Sequence, residues 1–376
     1  MVSELSIVIP CRNEQEAIGL CIRRIKEVLL KTKINAEIIV SDSSSDLSRE
    51  IIKREGGVVL IEHNKEGYGN AYLEGFKHAQ GKYIFMADSD GTYDFNEIPR
   101  FLFYLKQGYD FVIGNRFAKK LDKESMSFSH RNIGNPALSG LLRLFFKNNI
   151  RDSHCGMRAI SREALDKLNL HTAGMEFASE MVVKALKNKI KIKQVSIDYY
   201  PRLGESKLRS LSDGWRHLRF LLIYSPKFLF LIPGLLFLII GFIGLGLFAF
   251  SNPAILGRQY FVHPMFIFSM LSIIGYQLVL FAAFAKAYAM NHLGEKSEFM
   301  QKLYGILTIE KASIFGVLLV LLGAIIYLSI VIRWFASGLG DLNEIKNSVL
   351  VLTLVTIGVQ TIFSSFMLSI LGIKGK

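Results

Sequence analysis

Two aspartates, Asp88 and Asp90, stand one residue apart at the end of an apolar run from Lys82 to Ala87. In an extended chain alternate side chains point the same way, so both carboxylates can aim at one point past the end of a strand. Paired carboxylates make a hard oxygen site for Mg2+ or Mn2+. A metal held there would serve a phosphate. Asp-x-Asp is short and also common in surface turns, so its meaning depends on its surroundings.

Those surroundings alternate between strand and helix patterns. Strands are predicted at Leu5–Pro10, Glu37–Val40, Val58–Ile61, Tyr83–Ala87 and Asp110–Ile113, with helices at Glu14–Lys31, Ser48–Arg54, Gly69–Ala79 and Pro99–Lys106. Such alternation predicts an α/β domain with a mainly parallel, Rossmann-like sheet. Ligands in such sheets bind beyond the carboxyl ends of the strands. Polar residues gather at those ends: Asn13 and Glu14, Asp42, Asn64 and Lys65, Asp88 and Asp90, Asn115 and Arg116.

After Lys227 the chain turns apolar, and the 51% hydrophobic content is concentrated there. Spans at about 229–250, 261–285, 312–332 and 348–373 carry no Asp, Glu, Lys or Arg. Each is long enough as a helix to cross a hydrocarbon core of about 30 Å. The predicted organisation is a soluble domain over 1–210, an amphipathic juxtamembrane helix over 211–227 and an all-α transmembrane domain of four helices over 228–376. Lys286, Lys296, Lys302 and Lys311 lie between the second and third spans, and Lys374 and Lys376 in the tail; Arg258, Arg333 and Lys346 lie in the other two loops. That bias places the soluble domain in the cytoplasm, at the plasma membrane of a prokaryote or its equivalent. No signal-peptide pattern opens the chain. Cys11, Cys21 and Cys155 read as reduced thiols.

The net charge is +13. Lys207, Arg209, Arg216, Arg219 and Lys227 gather before the first span, with Trp215, Leu218 and Leu222 at helical spacing among them. This fits anionic lipid heads or a lipid-linked phosphate. No recognition helix or basic aromatic motif speaks for nucleic acid as a partner. Gly241, Gly244 and Gly246 would allow close helix packing, and with it a homo-oligomer through the membrane helices.

The strings Ile7–Glu14, Ser41–Asp46, Lys65–Ala71 and Asp88–Gly91 resemble the family-2 glycosyltransferases of GT-A fold. Gly114–Phe117, Arg131–Asn135, Asp152–Arg158 and Pro201–Lys207 narrow the resemblance to polyprenyl-phosphate glycosyltransferases, relatives of dolichyl-phosphate mannose and glucose synthases. It covers roughly residues 5–225. It implies that Pro10, Asn13, Glu14, Asp42, Lys65, Gly69, Asp88 and Ser89 hold the nucleotide, with Asp42 accepting a hydrogen bond from the base and Gly69 permitting close backbone approach. Asp88, Asp90 and Thr92 would hold Mg2+ or Mn2+. Arg116, Arg131, Asn135, Arg202 and Lys207 would hold the acceptor phosphate. Asp90, Arg116, Arg131, Asp152 and Arg202 form the implied catalytic set, Asp152 contacting the sugar or orienting an arginine. Glu176 is placed at a sugar hydroxyl or a helix cap. Relatives carry Asp-Asp-Gly-Ser where this chain has Ser41-Asp42-Ser43-Ser44, which leaves the base open.

A lipid monophosphate is already ionised and needs cations to hold it in line, whereas a hydroxyl acceptor needs a general base. The expected reaction is inverting transfer of one hexose from a nucleotide sugar, UDP-glucose ahead of GDP-mannose, to dolichyl or undecaprenyl phosphate. The apolar stretch Ala137–Phe146 is expected to guide the lipid. Two other readings stand beside it. A processive polysaccharide synthase normally carries Gln-x-x-Arg-Trp, and that string does not occur here. A nonenzymatic membrane subunit that senses nucleotide sugars is the other.

Overall fold

The computed structural model describes residues 3–119, 125–204, 210–255, 257–292 and 309–372. Arg209, Lys296, Lys302, Lys374 and Lys376 lie outside the described residues. The chain forms two compact units, Met1–Tyr224 and Ser225–Lys376.

The first unit is built on seven strands: β1 Leu5–Cys11, β2 Ala36–Asp42, β3 Val59–Glu62, β4 Tyr83–Met86, β5 Phe111–Asn115, β6 Arg158–Ser161 and β7 Ile192–Ser196. They lie in the order β3-β2-β1-β4-β6-β5-β7. β1 is almost wholly buried because helices cover both faces of a parallel sheet. Helix α1 (Ile18–Thr32) turns Ile18, Cys21, Ile22, Ile25 and Val28 inward at helical spacing and ends at Lys33, whose φ of 55° is left-handed. Each fully buried isoleucine there contributes about 1.5–3 kcal/mol. The helix begins at Ile18 rather than Glu14 because Glu14–Ala17 forms a turn, with the Ala17 N–H on the Glu14 carbonyl. Helices α2 (Ser48–Glu55), α3 (Tyr68–His78) and α4 (Ile98–Lys106) follow β2, β3 and β4.

One strand runs against the rest. β6 pairs antiparallel with both β4 and β5, Met86 opposite Arg158. An antiparallel strand starts at the edge where its neighbours end. The segment before it, Asp152–Met157, therefore crosses the carboxyl edge of the sheet. The alternation pattern did not contain this reversal. Helices α5 (Asn135–Phe146), α6 (Arg162–Leu168) and α7 (Phe177–Lys187) complete the layer. In α5, Leu142 is buried and Leu138, Leu141, Phe145 and Phe146 pack on the core, so most of the stretch expected to guide lipid is a core face.

Helix α8 (Ser210–Ile223) belongs to the first unit. Its inward stripe is His217, Phe220 and Leu221. The stripe singled out in the sequence lies elsewhere on the helix: Trp215 is exposed, and Leu218 and Leu222 are half-buried.

The second unit consists chiefly of four helices long and apolar enough to cross a membrane: Lys227–Phe250, His263–Asn291, Ile309–Ala336 and Ile345–Leu371. They outrun the uncharged spans because Lys227, Lys286, Arg333 and Lys346 continue them as helix. Glycines bring them together. A Cβ on Gly275 would fall 2.3 Å from the Leu238 nitrogen, and one on Gly244 would strike the Phe268 ring. Gly241 and Gly244 are thus occupied by packing within the chain, and Gly246 has nothing within 4 Å of such a Cβ. Neutral pairs join the second and fourth helices, among them Ser269–Thr353 (2.7 Å), Tyr276–Thr361 (2.6 Å) and Gln277–Gln360 (2.9 Å).

Candidate active site

A cavity of about 550 Å³ opens at the carboxyl edge of the sheet within the first unit. Asp88, Ser89 and Asp90 line it, together with Pro10, Glu14, Tyr68, Arg116, Tyr199 and Arg202. The acidic pair lies in the loop past β4, which ends at Met86. Ser89 anchors that loop by donating to the Pro10 carbonyl (2.7 Å). Tyr68 donates to Asp88 Oδ1 (3.1 Å). Gly156 presses on the other carboxylate oxygen, and a Cβ there would lie 2.5 Å from Asp88 Oδ2. Only glycine leaves room for that approach. Burial, with the charge of Asp90 next in weight, raises the Asp88 pKa to about 7. Two carboxylates on one cavity wall, one of them held toward its protonated form by burial, are a donor set that a divalent cation would satisfy. Among the described residues no cluster of three or more His, Cys, Asp or Glu could hold a metal, so the remaining positions would fall to phosphate and water oxygens. Thr92, expected as a further ligand, bonds to the Asp90 carboxylate. It is 1% exposed, and its hydroxyl and amide both donate to Asp90 Oδ1 (2.6 and 3.1 Å), which fixes the carboxylate.

The arginines are held from behind. Asp152, wholly buried, takes Arg116 in a bidentate pair (2.7 and 2.8 Å) and also accepts its backbone N–H (3.0 Å). This is the contact that the orienting role given to Asp152 calls for. The guanidinium lies 5.1 Å from the Tyr199 ring centroid. Burial pulls the Arg116 pKa down, but Asp152 more than offsets this and keeps the charge. Arg202 arrives on a segment clipped to the acidic loop, with Leu203 N–H on the Asp90 carbonyl (2.9 Å) and Tyr200 N–H on that of Thr92 (3.0 Å). It pairs with Glu14 (3.0 Å) and stands 3.8 Å from Asp90 Oδ2. Its Nε–H is buried with no partner among the described residues.

Other expected residues sit differently. Asp42 is wholly buried; it accepts from the Ser44 amide and hydroxyl and from Arg49 Nε (2.6 Å). Here the side chain clamps the loop after β2 and does not reach the cavity wall. Asn13, at φ 53°, braces the same loop through Ser45. The close approach at Gly69 is made by the protein itself, since a Cβ would lie 2.0 Å from the Thr172 carbonyl oxygen. Lys65 pairs with Glu74 on the surface. His130 lines the cavity, but its neighbours Arg131 and Asn135 are not in its wall; Asn135 reaches Met126 Sδ at 3.5 Å. Lys207 lies outside the described residues. Glu180 accepts from the His171 and Thr172 amides and pairs with Lys184, a structural anchor. Glu176 makes no side-chain cap, and its Oε2 is buried without a partner among the described residues.

Sequence reasoning passed over Tyr68, Tyr93, Tyr199, His154 and His217, all in the cavity wall. Tyr68 lies inside a motif already singled out, Lys65–Ala71. His217 carries no such signal, because it sits in a stretch that reads as membrane-proximal helix.

A model of glycosyl transferase family 2 matches residues 6–168, and a model of the glycosyltransferase family 2 C-terminal transmembrane region matches residues 283–372. The low-salt glycan biosynthesis hexosyltransferase Agl6 of Haloferax volcanii is 37% identical over 98% of this chain and 89% of its own length. A dolichyl-phosphate hexose transferase of the same organism is 31% identical over 56% of this chain and 89% of its own. The dolichol-phosphate mannosyltransferase of Pyrococcus furiosus is 27% identical over 55% of this chain and 59% of its own. Among solved structures, glucosyl-3-phosphoglycerate synthase from Mycobacterium tuberculosis with Mn2+ and UDP superposes with a TM-score of 0.48 at 19% identity, over 59% of this chain and 80% of that one. The likeness to Agl6 runs along nearly the whole chain, and both the catalytic and the transmembrane regions match family models: the chain belongs to glycosyltransferase family 2.

Proposed function

We propose that this glycosyltransferase moves one hexose from a nucleotide sugar to a polyprenyl phosphate, with inversion, at the cytoplasmic membrane face. The observation that carries this reading is the joint lining of one cavity by two acids and two oriented arginines, one with an Nε–H that has no partner among the described residues. The relatives support the class of acceptor, since two of them carry dolichyl or dolichol phosphate in their names. UDP-glucose is the favoured donor and GDP-mannose the next.

Asp88 and Asp90 would hold Mg2+ or Mn2+, which when bound supplies charge neutralisation for the departing diphosphate. The chain's own residues do the rest. Tyr68, Ser89 and Thr92 hold the acidic loop in place. Asp152 sets the Arg116 guanidinium, and Glu14 sets that of Arg202. Together these cations hold an ionised phosphate in line with the anomeric carbon, so no proton need be removed from the acceptor.

The test is direct. Purified full-length protein, radiolabelled nucleotide hexose, polyprenyl phosphate and Mg2+ or Mn2+ should yield label in an organic-extractable, acid-labile lipid. Label confined to water-soluble product refutes the proposal, and label in long polymer points to the processive reading. Thermal shifts with UDP and GDP separate the donors.

A further inference from the structure

A run of hydrogen bonds leads from inside the first unit to the cavity wall. Ser139 Oγ meets Ser153 Oγ (3.0 Å), Ser153 Oγ meets His154 Nδ1 (3.0 Å), His154 Nε2 meets Ser179 Oγ (3.2 Å), and Ser179 Oγ meets His217 Nδ1 (2.9 Å). The three serines are wholly buried, and the two imidazoles meet edge to face with centroids 4.4 Å apart. Both rings line the cavity. His154 has both nitrogens bonded. His217 has one: its Nε2 has no partner among the described residues and is not among the sealed polar atoms. A satisfied polar chain of this kind fixes the positions of the two rings.

We propose that His217 reads the transferred hexose, its Nε2 bonding a hydroxyl of the sugar ring while the serine–histidine run holds the imidazole in place. This rests on a nucleotide hexose being the donor. His154 stands two residues before Gly156, whose backbone abuts Asp88, and the sugar is joined directly to the phosphate those acids serve. Arg116 and Arg202 already supply positive charge to the cavity. Burial brings the His217 pKa down to about 4, so the ring is neutral at physiological pH. A neutral imidazole nitrogen matches a hydroxyl, which both donates and accepts, better than it matches a phosphate.

Two substitutions separate this role from mere packing. His217→Asn can keep the bond to Ser179 and loses the group at Nε2; His217→Gln does the reverse. Calorimetry on full-length protein with Mn2+ would compare UDP-glucose, UDP-galactose and UDP, with the guanosine series run if UDP does not bind. His217→Asn is expected to weaken nucleotide hexose by about tenfold and leave the nucleoside diphosphate unchanged, with the epimers less well distinguished. His217→Gln should stay within about threefold of the parent chain. The opposite ranking, or equal weakening of hexose and diphosphate ligands, overturns the proposal in favour of a helix clamp. Loss of turnover with unchanged hexose affinity and a vanished acid limb in the pH profile overturns it in favour of a general base. If His217→Asn fails to fold, 15N-histidine spectra of the parent chain decide: Nε2 of His217 must shift with nucleotide hexose and not with diphosphate alone, and an equal shift with both sinks the assignment. A parent chain that binds nucleotide hexose with this signature but makes no lipid-linked product overturns the acceptor reading and leaves the sugar contact standing.

Discussion

The two units bury polar side chains by different rules. In the first, buried charge is matched: Asp42 by Arg49, Asp152 by Arg116, Glu180 by Lys184, and Arg158 by three backbone carbonyls. In the second, the polar pairs between the second and fourth helices are neutral. A sheet edge with access to water and backbone groups can hold ion pairs, while hydrocarbon penalises any charge. Against that rule Asp88 and Asp90 stand out. Both line the cavity, with the Arg202 guanidinium 3.8 Å from Asp90 and already shared with Glu14. Asp42, Asp152 and Glu180 each have a cation, and the cavity pair, which has no dedicated one among the described residues, is where the proposed external cation would sit.

Removing one acid of the cavity pair should have the most severe consequence. Asp90→Ala should lower hexose transfer by about 10³-fold or more while the protein still melts cooperatively. Transfer retained at near the parent rate would take the metal out of the mechanism. Asp152→Ala tests the matched class. It strands Arg116 as a buried charge and should cost about 3–5 kcal/mol in denaturant unfolding, with transfer falling too. Asp152→Asn, which keeps an acceptor for Arg116, should cost less. Equal stability of Asp152→Ala and the parent chain would mean that the pair does not anchor the guanidinium.

The acidic pair also predicts a pH signature. The folded pKa of Asp88 is raised to about 7, above its unfolded value near 4. Between those values the folded state binds more protons than the unfolded one. The metal-free protein therefore loses stability from this group as pH rises from about 4 to 7. A divalent cation competes with that proton, so its apparent affinity should fall by about tenfold per unit below pH 7. Melting scans with and without Mn2+ at pH 5, 6, 7 and 8 check both signs. Protection by Mn2+ that is the same at pH 5 and pH 8 would mean Asp88 is not a ligand.

How much of this was legible in the sequence follows from range. β1, β2 and β4 show as apolar runs because each is buried on both faces, and Asp88 and Asp90 show because their spacing is local. The antiparallel turn of β6 is not local. Nothing in Arg158–Ser161 tells which way that strand runs, so the passage of Gly156 across Asp88 could not be read. Asp42 was legible as a residue at a strand end but not as the partner of Arg49, seven positions on. His217 was hidden for a different reason: its helix shows two stripes, and the apolar one with Trp215 draws the eye away from the stripe that is buried.

The smallest expected effect lies in the membrane unit and tests its half of the rule. The Thr353 hydroxyl donates to the Val349 carbonyl and accepts from Ser269. Thr353→Val leaves the Ser269 hydroxyl free to turn to a carbonyl of its own helix, so the loss should be only about 0.6 kcal/mol in detergent unfolding. The glutamine pair should respond asymmetrically. Gln360 gives its Nε2 to Gln277, but its Oε1 is buried with no partner among the described residues. Gln360→Met removes that orphan along with the bond and should be near neutral. Gln277→Met removes the acceptor and strands both ends of Gln360, so it should cost more. Equal costs for the two would show that the orphaned oxygen finds a partner in the bilayer, and costs as large as that of Asp152→Ala would erase the distinction between the units.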